Sequence, residues 1–369
     1  MKNDFRVLLE GLRISSRAFR MHIFGLKKYP GSADQIAIKI INECYDCNKK
    51  YFRTSAGHFC QFYARDFGMC CESLINLGFK KEVKNTLIYA MEIYLKEGKI
   101  TTHISPSDGP VDFPFNTPES AAYMLRSLIT LNDKKLLNKY KSFFDELSEH
   151  FFEDYVDKDS GLLRKDIKFS SMKDHSLRVS DCYNNCLLGM FSEDLKKIGV
   201  KSSLHKFDYS AIINKYFWTG SYFLEDLSGK NIISGDANTF PFWTGLFKDK
   251  KMFMSSLAAI KSKKLDTPFP LKYTSKEDVP KDLHVANLFV PGYEADTIWI
   301  HLGLCFMSVV KKYDSKSFRK YLESYEKNIK KHKNFLEVYF ADGSVFKKPL
   351  YYCDDSMLWV SIFLDLKNN

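Results

Sequence analysis

The chain reads as an all-α protein whose helices pair into hairpins and close into a ring. Three observations carry that expectation: helical periodicity recurs along the whole length, the breaks between periodic stretches alternate between tight and long, and strand signals are few. In KKEVKNTLIYAMEIYLKEG the residues Val83, Leu87, Ala90, Met91, Tyr94 and Leu95 share one face, and Gly98 ends the run. Comparable patterns predict helices at about 5–24, 33–50, 65–78, 118–131, 134–152, 182–197, 237–247, 250–260, 293–311, 315–332 and 354–367.

The tight breaks are turns such as Leu77-Gly78-Phe79 and Leu131-Asn132-Asp133, whereas residues 98–117, 157–181 and 262–292 form long polar or aromatic loops. A ring of helical hairpins needs this alternation, with short turns on one rim and long loops on the other. Function is expected on the long-loop rim. Phe335–Phe340 alternates and Asp342-Gly343 supplies a turn, so one or two short β-hairpins are expected there. No low-complexity linker interrupts the chain, and residues 1–369 are read as one domain.

Composition narrows the function classes. The 31 Phe and 21 Tyr against 4 Trp imply thick aromatic packing with some rings left to line a cleft. The net charge of +10 is spread over short groups such as Lys261, Lys263 and Lys264, without a basic stripe, so no nucleic-acid partner is expected. The 9 cysteines are dispersed and read as reduced thiols in a cytoplasmic protein. Cys44 and Cys47 form a CxxC that no second motif answers, so no metal is expected. The N-terminus lacks a signal-peptide core and Trp299–Val310 is too short to span a bilayer, so no membrane partner is expected. No phosphate-binding glycine loop, HExxH, GxSxG or dinucleotide fingerprint is present, and no cofactor is called for.

Two carboxylates far apart in the chain, Glu119 in PFNTPESAAYMLRSL and Glu337 in NFLEVYFADGS, each sit among aromatics. A closed ring would bring them to face each other, as a general acid and a general base must. Glu119 also reads as an ordinary first-turn acid, after Thr117 as N-cap and Pro118 at the first helical position. Asp112 is its rival for the acid. Glu337 also reads as an exposed residue before a turn, and Glu294 is its rival. Arg65-Asp66 joins a donor fork to an acceptor, suited to vicinal hydroxyls. Asp181 and Asn185 lie one helical turn apart; Asn238, Trp243 and Trp299 could add a hydrogen bond and stacking faces.

Six segments in order, YARDFGMCCESLINLGF, FNTPESAAYMLRSL, VSDCYNNCLLGMF, SGDANTFPFWTGLF, PGYEADTIWIHLGL and FLEVYFADGS, resemble the six-hairpin glycosidases, which include glucoamylases, glycogen-debranching glucosidases, trehalases and neutral invertases. The resemblance covers roughly residues 60–365. It implies an (α/α)6 barrel, a carbohydrate substrate and inverting hydrolysis of a small or oligomeric α-linked glucoside, with Glu119 as acid and Glu337 as base. It also implies sugar contacts from Arg65, Asp66, Asn116, Asp181, Asn185, Asn238, Trp243 and Trp299. The chain departs from the debranching and invertase segments in having Glu119 where they have an Asp acid, and Tyr123 in place of Trp four residues after the carboxylate. A second reading is a helical toroid that binds a sugar or a partner without catalysis.

Overall fold

The computed structural model describes residues 2–279, 281 and 283–369. Among them run thirteen α-helices: α1 (Lys2–Phe24), α2 (Ala33–Cys44), α3 (Ala64–Asn76), α4 (Lys80–Glu97), α5 (Pro118–Leu131), α6 (Lys134–Tyr155), α7 (Cys182–Lys197), α8 (Tyr209–Phe217), α9 (Phe240–Trp243), α10 (Lys250–Ser262), α11 (Ile300–Tyr313), α12 (Ser315–His332) and α13 (Val360–Asn368). The odd-numbered helices from α3 to α13 pack each against the next, and α13 returns to α3, so the ring closes. The even-numbered helices lie outside: α4 against α3 and α5, α6 against α5, α8 against α7, α10 against α11, and α12 with α2 against α13.

Burial separates the two rings as their sequences require. Inner α11 is apolar almost all round and buries Ile300 to Met307 without a break, while outer α12 buries only the stripe Phe318, Tyr321, Tyr325 and Ile329. Gly68 lets α3 and α5 approach closely: a Cβ there would stand 2.5 Å from the Cβ of Tyr123. Gly98 ends α4 at φ +78°, and its N–H returns to the Tyr94 carbonyl at 2.9 Å.

Connections from inner to outer helices include the single residue Asp314 and the turns 77–79 and 132–133, while those from outer to inner helices are long. One rim therefore gathers the N-terminal ends of the inner helices and the long loops. Small antiparallel strand pairs decorate it, among them Phe62–Tyr63 with His103–Ile104 and Ile298–Trp299 with Val338–Tyr339. The fold class is all-α with small hairpins, as the periodicity predicts.

Four expected helices are shorter than the pattern suggests. The one expected at 33–50 ends at Cys44, where Tyr45–Asp46 pairs with Tyr51–Phe52 and leaves Cys47 exposed in the turn. The one expected at 237–247 is confined to Phe240–Trp243, because the Asn238 side chain is spent on the backbone of Phe223 and Ser234. Strand pairing of Ile298–Trp299 delays α11 to Ile300, and α13 starts at Val360 rather than 354. Helix α8, nine residues rich in aromatic and β-branched types, lies where no helix was expected. No described helix is long and apolar enough to cross a membrane.

Candidate active site

A cavity of about 660 Å³ lies on the long-loop rim. All three long loops line it: His103 and Phe113 from the first, Met172, Asp174 and His175 from the second, Tyr273, His284 and Phe289 from the third. The segments leading into α3, α11 and α13 complete it with Tyr63, Trp299, Glu337 and Trp359.

On one side three carboxylates surround one guanidinium, and a fourth, Glu294, braces the loop that carries one of them. Arg65, in the first turn of α3, places Nη1 3.4 Å from Glu119, Nη2 3.2 Å from Asp174 and Nε 3.7 Å from Asp66. Its Nη1 also donates to the Ser171 carbonyl, which ties α3 to the second long loop. Asp66 accepts from the Trp359 indole at 2.9 Å. The two oxygens of Glu294 accept from the backbone N–H groups of Asp174 at 2.8 Å and His175 at 2.7 Å, so Glu294 fixes the loop that carries Asp174. One cation cannot offset four buried negative charges, and the group retains protons. Burial together with the Asp174 charge pushes Glu294 up to about 8. Burial pushes Glu119 up to about 7 against the pull of Arg65, and raises Asp174 and Asp66 in the same way.

On the other side Glu337 stands apart from any cation and is 1% exposed. Tyr293 donates its hydroxyl to Oε1, while Tyr351 at 2.7 Å and the backbone N–H of Asp354 at 2.8 Å donate to Oε2. A carboxylate has about four acceptor positions, so Oε1 keeps one for a further proton. Burial, reinforced by the Asp354 charge, pushes Glu337 up to about 7. Asp354, although buried, is held below the usual carboxylate range by His58 and Arg17. Burial pushes the cavity histidines His103 and His175 down to about 4 and holds His301 well below the usual imidazole range.

The expected residues divide into two sets. Arg65, Asp66, Glu294, Trp299 and Glu337 all line the cavity. Glu119 does not: it is 1% exposed, hydrogen-bonded by Tyr183 and turned toward Arg65. Asp112 pairs with Lys99 at 2.7 Å, and Asn116 is exposed beside the rim. Asp181 caps α7 by accepting from Asn184 N–H at 2.9 Å. Asn185 accepts from Leu163 N–H at 2.9 Å, and Asn238 joins Phe223 to Ser234, so both staple backbone rather than face the cavity. Trp243 packs on Tyr123 and Phe240. Asp174 is the cavity carboxylate that sequence reasoning missed. Its one signal was its place in an aperiodic long loop on the functional rim.

Among solved structures the chain is similar to a wild-type glycosidase at 10% identity, over 91% of this chain and 96% of that one, with a TM-score of 0.64. The ring is a fold that glycosidases use. A glycosidase variant in complex with glucose matches at 10% identity over 91% of this chain and 96% of that one, with a TM-score of 0.63. A GH63 mannosylglycerate hydrolase from Thermus thermophilus, also in complex with glucose, matches at 8% identity over 92% of this chain and 100% of that one, with a TM-score of 0.57. No family model and no curated protein matches the chain.

Proposed function

We propose that the chain is an inverting glycoside hydrolase, with Asp174 as general acid and Glu337 as general base. The observation that carries this reading is that both line one cavity with opposite surroundings: Asp174 belongs to an acid-rich group that retains protons, and Glu337 is a lone carboxylate with an open acceptor position. Inverting hydrolysis asks for this division, one carboxylic acid to protonate the leaving oxygen and one carboxylate to activate water. The acid is thereby moved from Glu119, which serves as a positioning residue by holding Arg65 against Asp174.

Sugar hydroxyls have ready partners at the cavity floor. Arg65 Nε and the Nδ1 atoms of His103, His175 and His301 are buried without a hydrogen-bond partner among the described residues, a cost that a polyhydroxylated ligand would relieve. Trp299 and Trp359 offer ring faces beside them. The sugar in this reading is glucose, the ligand held by two of the similar structures, and its α linkage rests on the sequence resemblance.

Hydrolysis of α- and β-glucosides, followed by NMR of the anomer first released, tests the reading with wild type, Asp174→Asn and Glu337→Gln. Turnover with inversion, lost by more than about a hundredfold in both variants, is the expected result. Sugar binding without turnover in wild type would instead favour a toroid that binds carbohydrate without acting on it.

A further inference from the structure

The charged groups of the cavity are gathered at one end. Charged lining residues are confined to Arg65, Asp66, Asp174, Glu294 and Glu337; among the described residues it has no lysine or asparagine and no further acid. Their surroundings are the floor, since Glu337, Glu294 and Trp359 are nearly inaccessible. The outer end is built from Leu12 and Ile14 of α1, Phe113 of the first long loop, Phe289 and Val290 of the third, and Leu350. Leu12 is 60%, Phe289 66% and Leu350 53% exposed, and large apolar side chains held in water around one opening mark a place where something apolar is bound.

The middle of α1 anchors its part of that wall. Arg17 of α1 reaches inward to Asp355 at 2.6 Å and Asp354 at 3.3 Å, and Arg13 donates to the carbonyl of His58. These contacts hold α1, which presents Gly11, Leu12, Ile14 and Ser15 to the cavity, against the rim. A second sugar ring leaving the floor would find Ser15 of α1 and His284 beside Phe113 but no further carboxylate or ammonium group, whereas an alkyl or aryl group would meet aliphatic and aromatic walls.

We infer that the substrate is a glycoside with an apolar aglycone: the glycosyl unit lies among the floor carboxylates and an alkyl or aryl group lies along Leu12, Ile14, Phe113, Phe289, Val290 and Leu350. This rests on the hydrolase reading for the position of the sugar, and adds the chemistry of the leaving group.

The test is calorimetric binding of methyl, hexyl and octyl glucosides, as both anomers and below micelle-forming concentrations, to the Glu337→Gln chain, with wild-type turnover measured in parallel against maltose and trehalose. Affinity should rise with chain length, by up to about fourfold for each methylene that is buried. That rise should collapse in Phe289→Ser/Leu350→Ser, whose exposed positions can be changed without emptying the core. A flat response to chain length, no binding of octyl glucoside, or a length dependence untouched by the double variant overturns the inference. Faster turnover of maltose or trehalose than of octyl glucoside overturns it too, while leaving the hydrolase reading in place. Length-dependent binding with no turnover of any glycoside sinks the hydrolase reading and leaves the apolar subsite standing.

Discussion

The two sides of the cavity hold their carboxylates by opposite means. Around Asp174 the partners are charged, with Arg65 shared among Asp66, Glu119 and Asp174. Around Glu337 the donors are neutral, namely two tyrosine hydroxyls and one backbone N–H. A cluster with more acids than cations retains protons to higher pH, up to about 8 at Glu294, whereas Glu337, held by neutral donors, ionises through about 7 and can then accept one. In the proposed reading this contrast is what separates donor from acceptor.

The hardest test of that contrast is catalytic. Asp174→Asn and Glu337→Gln should each lower kcat by about a hundredfold to ten thousandfold, the range of a lost general acid or base. Glu119→Gln should cost only about tenfold, because it disturbs Arg65 and not the proton path. Steady-state kinetics on one glucoside decides it, and a larger loss in Glu119→Gln than in Asp174→Asn would return the acid to Glu119.

That comparison also shows what the sequence could and could not disclose. Helix bounds were legible where a local stop signal exists, as at Gly98 and at Asn132, which adopts φ +55° after α5. They blurred where a distant partner decides, as at Ile298–Trp299, whose pairing with Val338–Tyr339 cannot be seen from either segment alone. In the site, Arg65-Asp66 and Glu337 carried recognisable neighbours. Asp174 sits in an aperiodic loop and becomes a cavity group only because Arg65 and Glu294, 109 and 120 residues away, grip it from two sides. Asn185 and Asn238 resemble sugar contacts in sequence because a buried amide looks the same there whether it holds a ligand or, as here, a backbone.

A second way to sharpen the contrast is stability. Arg65→Ala leaves three buried carboxylates without their cation and should cost about 3–5 kcal/mol in urea unfolding. Tyr351→Phe removes one neutral donor from Glu337 and should cost about 1 kcal/mol. Equal losses would mean that the two sides are held alike.

The acceptor side also predicts a pH profile. Glu337 must be ionised to activate water, and its pKa is pushed up to about 7, so kcat/KM should fall as pH drops through that value. The Tyr293 hydroxyl stabilises the ionised form, so Tyr293→Phe should move this limb to higher pH. An unmoved limb in that variant would show that another group sets it.

The smallest expected effect is on stability against pH, and its sign follows from proton counting. Glu119 and Glu337 are raised to about 7 and Glu294 to about 8, from an ordinary value of 4.5, so between those limits the folded chain binds more protons than the unfolded one. Their contribution is complete below about pH 4.5 and is lost as pH rises toward 8. Asp354 works in the opposite sense: its pKa is depressed in the fold, so its contribution is present at neutral pH and lost only in acid. Thermal unfolding should therefore show a Tm lower at pH 8 than at pH 5, by about 3 °C or more. Glu119→Gln should flatten that slope while leaving the acid limb of kcat/KM where it was, because Glu337 sets the limb and the buried acids together set the slope. A Tm that rises from pH 5 to pH 8 would mean that the buried acids on the Arg65 side are ionised in the fold, and the case for a retained proton there would fall with it.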